Sequence, residues 1–252
     1  MFSLLGKGLL VKPLLRWTAL VLTAFAFLQL FFVLRIAAMA AVNPQSTAFQ
    51  RSDLWSQLSG GSLRWRQQWL PYAEISSHLK RAVIASEDDG FVSHDGVDWN
   101  AMEKAWERNN RAAELAAKAG PAPGKTARAP KVHGGSTITQ QLAKNLLLSG
   151  ERTLLRKGQE FMLTLALEQL LSKERILEIY LNNVEWGDGV YGAEAAAQRY
   201  FNKSAGKLSA PEAARLAVML PAPKRFEKNP GSAYIAGRTR TIMARMRAAE
   251  LP

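Results

Sequence analysis

Gly134-Gly135-Ser136-Thr137-Ile138-Thr139-Gln140-Gln141-Leu142-Ala143-Lys144-Asn145 is a loop that turns into a helix. Thr137, Gln141 and Lys144 or Asn145 recur at spacings of three and four, so they share one helical face, and Leu142 and Leu146 take another. Hydroxyl, amide and ammonium groups therefore line up at a helix N-terminus, where free backbone N–H groups and the helix dipole favour an anion. A phosphate-bearing substrate suits such an end. A Ser-capped amphipathic helix with a solvated polar face suits it equally, and spacing alone leaves both readings open.

The helical period continues outward from this run. Helical signals cover about 75–86, 97–118, 137–148, 153–171, 173–183, 190–200, 209–220 and 232–250, with Pro221 and Pro223 stopping the seventh. No stretch sustains period-two alternation, so the chain reads as mainly α, without an internal repeat. Residues 43–75 form a mixed connector in which Trp55, Trp65 and Trp69 alternate with Arg64, Arg66 and glutamines. It fits a membrane-proximal surface or, more simply, the packing of the domain's first strand or helix. Ala119 to Lys131 holds three prolines, two glycines and three basic residues, the composition of a linker or mobile loop.

The 252 residues suffice for one sizeable domain and an appendage. The chain has no cysteine, which excludes disulfides and thiolate chemistry. A net charge of +12 points to an anionic partner. The N-terminus narrows the choice. Trp17 to Leu34 is an uncharged apolar run of roughly 27 Å as a helix, close to bilayer thickness. Lys7, Lys12 and Arg16 precede it, which places residues 1–16 in the cytoplasm, an anchor at 17–42 and the domain 43–252 outside. Ala38-Met39-Ala40 resembles a signal-peptide cleavage site, but the apolar run exceeds the usual length, so a retained anchor is expected. An exported basic domain does not meet nucleic acid; anionic lipid or a lipid-linked phosphate takes its place.

Three motifs fail on context. Gly187-Asp188-Gly189-Val190-Tyr191-Gly192 fits a dinucleotide fingerprint but follows a helix with no preceding strand. Gly124-Lys125-Thr126 resembles the end of a P-loop without its first glycine. Ser77-His78-Leu79-Lys80 fits S-x-x-K, yet no K-T-G follows it.

Two constellations carry chemistry. Residues 86–98 hold five acids, His94 and two glycines directly after the apolar helix Leu79 to Ala85. A carboxylate ending an apolar helix is partly desolvated, which raises its pKa toward that of a useful base. An acidic cap and turn would look the same, and the spacing matches no EF-hand loop. Arg156-Lys157-Gly158-Gln159-Glu160 opens a helix, with Arg156 and Glu160 four apart. It reads as a surface ion pair worth a few tenths of a kcal/mol (about 0.2–0.5) or as a cationic patch with a second carboxylate. Two distant carboxylates with a cationic stripe suggest glycosyl transfer from a phosphate leaving group.

Taken together, these runs resemble the family 51 glycosyltransferases, the peptidoglycan glycosyltransferases, and the anchored chain without a transpeptidase domain is similar to their monofunctional biosynthetic type. The resemblance rests on Glu87-Asp88-x-x-Phe91-x-x-His94-x-Gly96-x-Asp98, the Gly134–Asn145 run and Arg156-Lys157-x-x-Glu160. It continues in Ile176-Leu177-Glu178-x-Tyr180-Leu181-Asn182 and in Ala210-Pro211-Glu212-Ala213-Ala214 with Leu216 and Pro221. It implies a mainly α, lysozyme-like domain with a head lobe and a small membrane-proximal lobe. It implies polymerisation of lipid II by inverting transfer of the growing lipid-linked strand to an acceptor 4-hydroxyl, forming β-1,4 bonds. Glu87 would be the base and Glu160 the support on the donor side. Asp88, Phe91, His94, Ser136, Thr137, Gln141, Lys144, Asn145, Arg156, Lys157 and Tyr180 would meet the substrates. No tightly bound cofactor is implied, beyond a divalent cation, Mg or Mn, bridging the donor diphosphate. The implied partners are lipid II, the lipid-linked glycan strand, the membrane, and a separate transpeptidase with the cell-wall synthesis machinery, on the outer side of the bacterial inner membrane. The chain departs from the family in a longer, Ala- and Pro-rich 107–133 segment, expected to be a mobile or inserted loop, and in His133, where a basic residue is common. A lysozyme-like glycan hydrolase and a non-enzymatic precursor-binding scaffold are the competing readings.

Overall fold

The computed structural model describes residues 5–61, 63–119, 134–148, 150, 151 and 153–252. Helix α1 runs from Leu5 to Ala38 and α2 from Ala48 to Ser59, followed by the short strand β1, Arg66–Gln67. Next come α3 (Ser77–Glu87), α4 (Trp99–Ala119), α5 (Ile138–Leu147), α6 (Leu154–Leu170) and α7 (Lys173–Asn183). Strands β2 (Glu185–Gly187) and β3 (Val190–Tyr191) precede α8 (Ala193–Phe201), α9 (Ala210–Met219), α10 (Pro223–Glu227) and α11 (Ala233–Arg245). The mainly α reading stands.

Ser and Thr punctuate the chain. The hydroxyls of Thr47, Ser76, Thr137, Thr153, Ser172 and Ser232 each accept a backbone N–H at the start of a helix, which satisfies donors the helix cannot. In α5 the cap is Thr137 in a capping box with Gln140, so the loop ends one residue later than a Ser136 cap would place it.

Part of α1, Lys12–Ala38, is long and apolar enough to cross a membrane, and most of its side chains are exposed. Its end is not a free tether. Ile36 and Met39 are buried in the domain core, and Arg175 donates from Nε to the Met39 carbonyl at 2.8 Å. Cleavage at Ala38–Ala40 would remove Ile36 from that core. The domain therefore begins inside the segment expected to be anchor alone.

The core surrounds α3, which packs against α9 and α11, while α5 packs against α6, α2 and α7. Trp186, Tyr180, Tyr191, Leu79, Ile84, Ile138 and Leu142 are among its largest buried side chains. The Trp186 indole donates to the Leu216 carbonyl at 3.1 Å, so its one polar atom is satisfied. The site arises where the C-terminal end of α3 meets the N-terminal end of α5.

The simpler reading of the connector, the domain's first helix and strand, stands, and several boundaries shift. The 43–75 connector contains α2 and β1, and its tryptophans divide: Trp55 is exposed, Trp65 packs on Tyr191, and Trp69 donates to Glu178 at 3.2 Å. The helix expected from 190 starts at Ala193, and the last helix ends at Arg245. The segment read as a loop from 107 stays helical to Ala119; residues 120–133, including Gly124-Lys125-Thr126 and His133, lie outside the described residues. Lys80 of the S-x-x-K run donates to the Tyr72 carbonyl at 3.0 Å.

The Gly187–Gly192 run is a hairpin after all, in a sheet of order β1-β3-β2 with β1 parallel to β3. Strands of two or three residues are too short to show alternation. Gly189 has φ 68°, and a Cβ there would lie 2.1 Å from the Arg64 carbonyl oxygen. Gly189→Ala is expected to lower stability by about 1–3 kcal/mol, read as a drop in the midpoint of chemical unfolding.

Candidate active site

The last residue of α3 is Glu87, and the helix behind it is apolar: Ala82, Val83, Ile84 and Ala85 are buried. One carboxylate oxygen accepts from the Gln141 amide at 3.1 Å and the other from the Ser86 hydroxyl at 3.2 Å. Burial pushes the Glu87 pKa up, and neighbouring Asp88 adds to this. The Gln141 and Ser86 bonds and the Arg238 charge oppose it. A position in the final turn of a helix acts in the same direction as burial, because the dipole's negative end disfavours a carboxylate.

Tyr180 is buried and donates to the Gln141 carbonyl oxygen at 3.0 Å. The amide is thereby turned so that its nitrogen faces Glu87. Burial raises the Tyr180 pKa well above its ordinary value, with Glu87 and Asp88 adding to the shift, which keeps the phenol a donor. Tyr180 thus acts on the carboxylate through Gln141. Gln141→Leu is expected to lower turnover about tenfold and move the acidic limb of the pH–rate profile to higher pH, because the bond it removes favours the ionised carboxylate. A pH series on both proteins checks this.

Asp88 faces inward. One oxygen lies 2.8 Å from His94 Nε2 and the other accepts the Ile138 N–H at 2.9 Å. The Gly96 N–H donates to His94 Nδ1 at 3.1 Å, so Nε2 carries the hydrogen that Asp88 accepts. Thr137 donates its hydroxyl to the Gly96 carbonyl at 2.6 Å. Together these bonds stitch the 88–98 loop to the start of α5. They also correct the open anion site expected there: Asp88 is the anion at this helix end, and Thr137 and Gln140 take the neighbouring donors. Ser136 is exposed just before the helix.

Phe91 is fully buried. Lys173 sits 4.7 Å from its ring centroid, donates to the His94 carbonyl at 2.6 Å and pairs with Glu168 at 2.9 Å. Glu168 also accepts the Thr139 hydroxyl at 2.5 Å. Glu168, Lys173 and Thr139 form the back of the site, and sequence reasoning missed them. Nothing in the spacing of three residues from three helices marks them as neighbours.

One turn beyond Gln141, Lys144 and Asn145 line a cavity of about 270 Å³ with Arg156, Phe49, Leu148 and Glu151. Arg156 Nη1 pairs with Glu160 at 2.9 Å, and Lys157 bonds the other Glu160 oxygen. Glu160 is buried, so this is no surface ion pair. Arg156 Nε is buried with no hydrogen-bond partner, a spare donor beside the cavity. α5 therefore carries both halves of the site: Gln141 holds Glu87, and Lys144 and Asn145 open the cationic cavity.

Residues 56–247 match the transglycosylase family model, well beyond the span of the sequence motifs. The chain belongs to the transglycosylase family. It is 49% identical over 245 residues to the biosynthetic peptidoglycan transglycosylase of Herminiimonas arsenicoxydans, covering 96% of this chain and 99% of that one. It is 52% identical over 236 residues to the protein of the same name from Paraburkholderia xenovorans, covering 93% and 91%. The transglycosylase has the lysozyme-like, mainly helical domain that the resemblance implied, preceded by one apolar helix.

Among the described residues no group of three His, Asp or Glu side chains converges on one point. Glu160 is already paired with Arg156 and Lys157.

Proposed function

We propose that the transglycosylase polymerises lipid II, transferring the growing lipid-linked strand to the 4-hydroxyl of a lipid II acceptor. The observation that carries this reading is α5 itself, with a partly buried, amide-held carboxylate on one side and a Lys-Asn-Arg cavity on the other. A sugar hydroxyl is a weak nucleophile, so Glu87 takes its proton as the new bond forms. Attack on the anomeric carbon inverts it and breaks its bond to the diphosphate. The leaving group gathers negative charge, which calls for fixed positive donors more than for a proton. Lys144 and Arg156 supply the positive charge and Asn145 a neutral amide donor. Glu160 is a positioning residue that holds Arg156 and Lys157 in place. A divalent cation enters only as a companion of the substrate's diphosphate.

The single apolar helix supports an anchored enzyme. Its basic N-terminal flank favours a cytoplasmic N-terminus, with the domain on the outer face of the inner membrane, where lipid II and a separate cross-linking transpeptidase would meet it.

The test offers the purified full chain lipid II in one tube and finished glycan in another. New polymer is the expected result; fragments from glycan alone would mean hydrolysis and overturn the reading. Lys144→Ala is expected to weaken binding of a diphosphate-linked lipid about tenfold. Unchanged affinity would count against the cavity as the diphosphate site.

A further inference from the structure

The anchor helix contains one amide in its outer half. Trp17–Leu34 is uncharged, and Gln29 lies within it, five residues or roughly 8 Å inside its outer end. Gln29 is partly buried while its helical neighbours Leu28 and Leu30 are exposed. Gln29, Phe32 and Ile36 recur at spacings of three and four, so one stripe of α1 faces the domain; Phe32 packs on the core and Ile36 is in it. α1 packs against α6.

Gln29 meets Gln159 of α6 in a reciprocal amide pair. Gln29 Nε2 donates to Gln159 Oε1 at 3.1 Å, and Gln159 Nε2 donates to Gln29 Oε1 at 2.9 Å. A primary amide in hydrocarbon is costly unless its donors and acceptor are met, and this geometry meets one of each on both sides. The first two residues of α6 are apolar and open: Leu154 is 92% and Leu155 88% exposed. Gln159 directly precedes Glu160, which holds Arg156 and Lys157.

We propose that the Gln29–Gln159 pair docks the anchor to α6 inside the bilayer and so sets the depth of the Arg156–Lys157–Glu160 cluster relative to the lipid headgroups. The anchor is then a positioning element for a membrane-held diphosphate, with Gln29 its positioning residue. This rests on the lipid-linked substrate proposed above. A bilayer fixes the height of a lipid diphosphate, so a site held at the wrong height loses the orientation that binding provides.

Two experiments test it, and the absence of native cysteine makes the first clean. The full chain with Gln29→Cys and Gln159→Cys is placed in vesicles of bacterial phospholipid and treated with a short bismaleimide. An intramolecular crosslink is expected, and little with Phe27→Cys and Gln159→Cys, since Phe27 lies on the opposite, 67% exposed face of α1. Equal crosslinking in the two pairs would overturn the docking. The second compares Gln29→Leu with the unaltered chain on two substrates, lipid II in vesicles and a short-chain, water-soluble analogue in detergent. Turnover in vesicles is expected to fall roughly three- to tenfold, with less than a twofold change on the soluble analogue. An equal fall on both, or on neither, would overturn the depth role. Failure of the unaltered chain to polymerise either substrate would overturn the proposed function, while the crosslink still reports on the docking.

Discussion

Glu87→Gln is expected to lower polymerisation by about 10²–10⁴-fold, the usual contribution of a positioned general base. The amide keeps the shape of the carboxylate and can still meet Gln141 and Ser86, so binding of lipid II should change little. Stability should hold or rise. The folded-state pKa of Glu87 is raised, so whatever stability its protonated form contributes is fully present below the unfolded pKa and lost as pH rises through the folded value. Once ionised, the desolvated carboxylate is therefore a cost to the fold, and glutamine removes it. Activity runs the other way: the base works only when ionised, so the rate falls as pH drops through the raised pKa. Single-turnover assays with thermal melts check both halves. Full polymerisation by the Gln variant would show that the base is another group.

Asp88→Ala should be the most damaging change to the frame of the site. It deletes the acceptor of the Ile138 N–H at the start of α5 and of His94 Nε2–H. Each bond to a charged acceptor is worth about 1.5–3 kcal/mol, so a loss of about 3–6 kcal/mol is expected in denaturant titrations. The cost reaches the chemistry because α5 carries Gln141 toward Glu87. Asp88→Asn should fall between the two proteins. Its amide can accept from Ile138 but turns a donor toward His94, whose Nδ1 already accepts from Gly96 and so cannot trade its hydrogen. A stable Asp88→Ala protein with normal turnover would show that the loop and α5 hold their register by packing alone.

Much of this was legible in the residues. The period of the helices, the apolar anchor and the ordered acidic, Gly-Gly-Ser-Thr and Arg-Lys-x-x-Glu runs led to the family and to Glu87. The errors have physical causes. The N-terminus of α5 looked open to a substrate anion because sequence spacing cannot show that Asp88, 50 residues earlier, folds back onto Ile138. Arg156 and Glu160 stayed open between a surface pair and a cationic patch because helical spacing does not report burial. Gly187–Gly192 lacked a visible strand because two or three residues carry no alternation.

The sequence by itself determined the local propensities and the inventory of chemistry: where helices start, which segment is apolar enough for a bilayer, which groups can take a proton or hold a phosphate. Those properties follow from neighbours three or four residues apart. Only the tertiary structure decided which groups are free to act. Asp88, Thr137, Tyr180 and Glu160 spend their polar atoms on the protein itself, Glu87 keeps a partly buried, adjustable carboxylate, and Gln29 turns from an oddity in an apolar helix into a contact with α6. Each of these outcomes depends on partners dozens of residues away or on removal from water, and neither is written in local spacing.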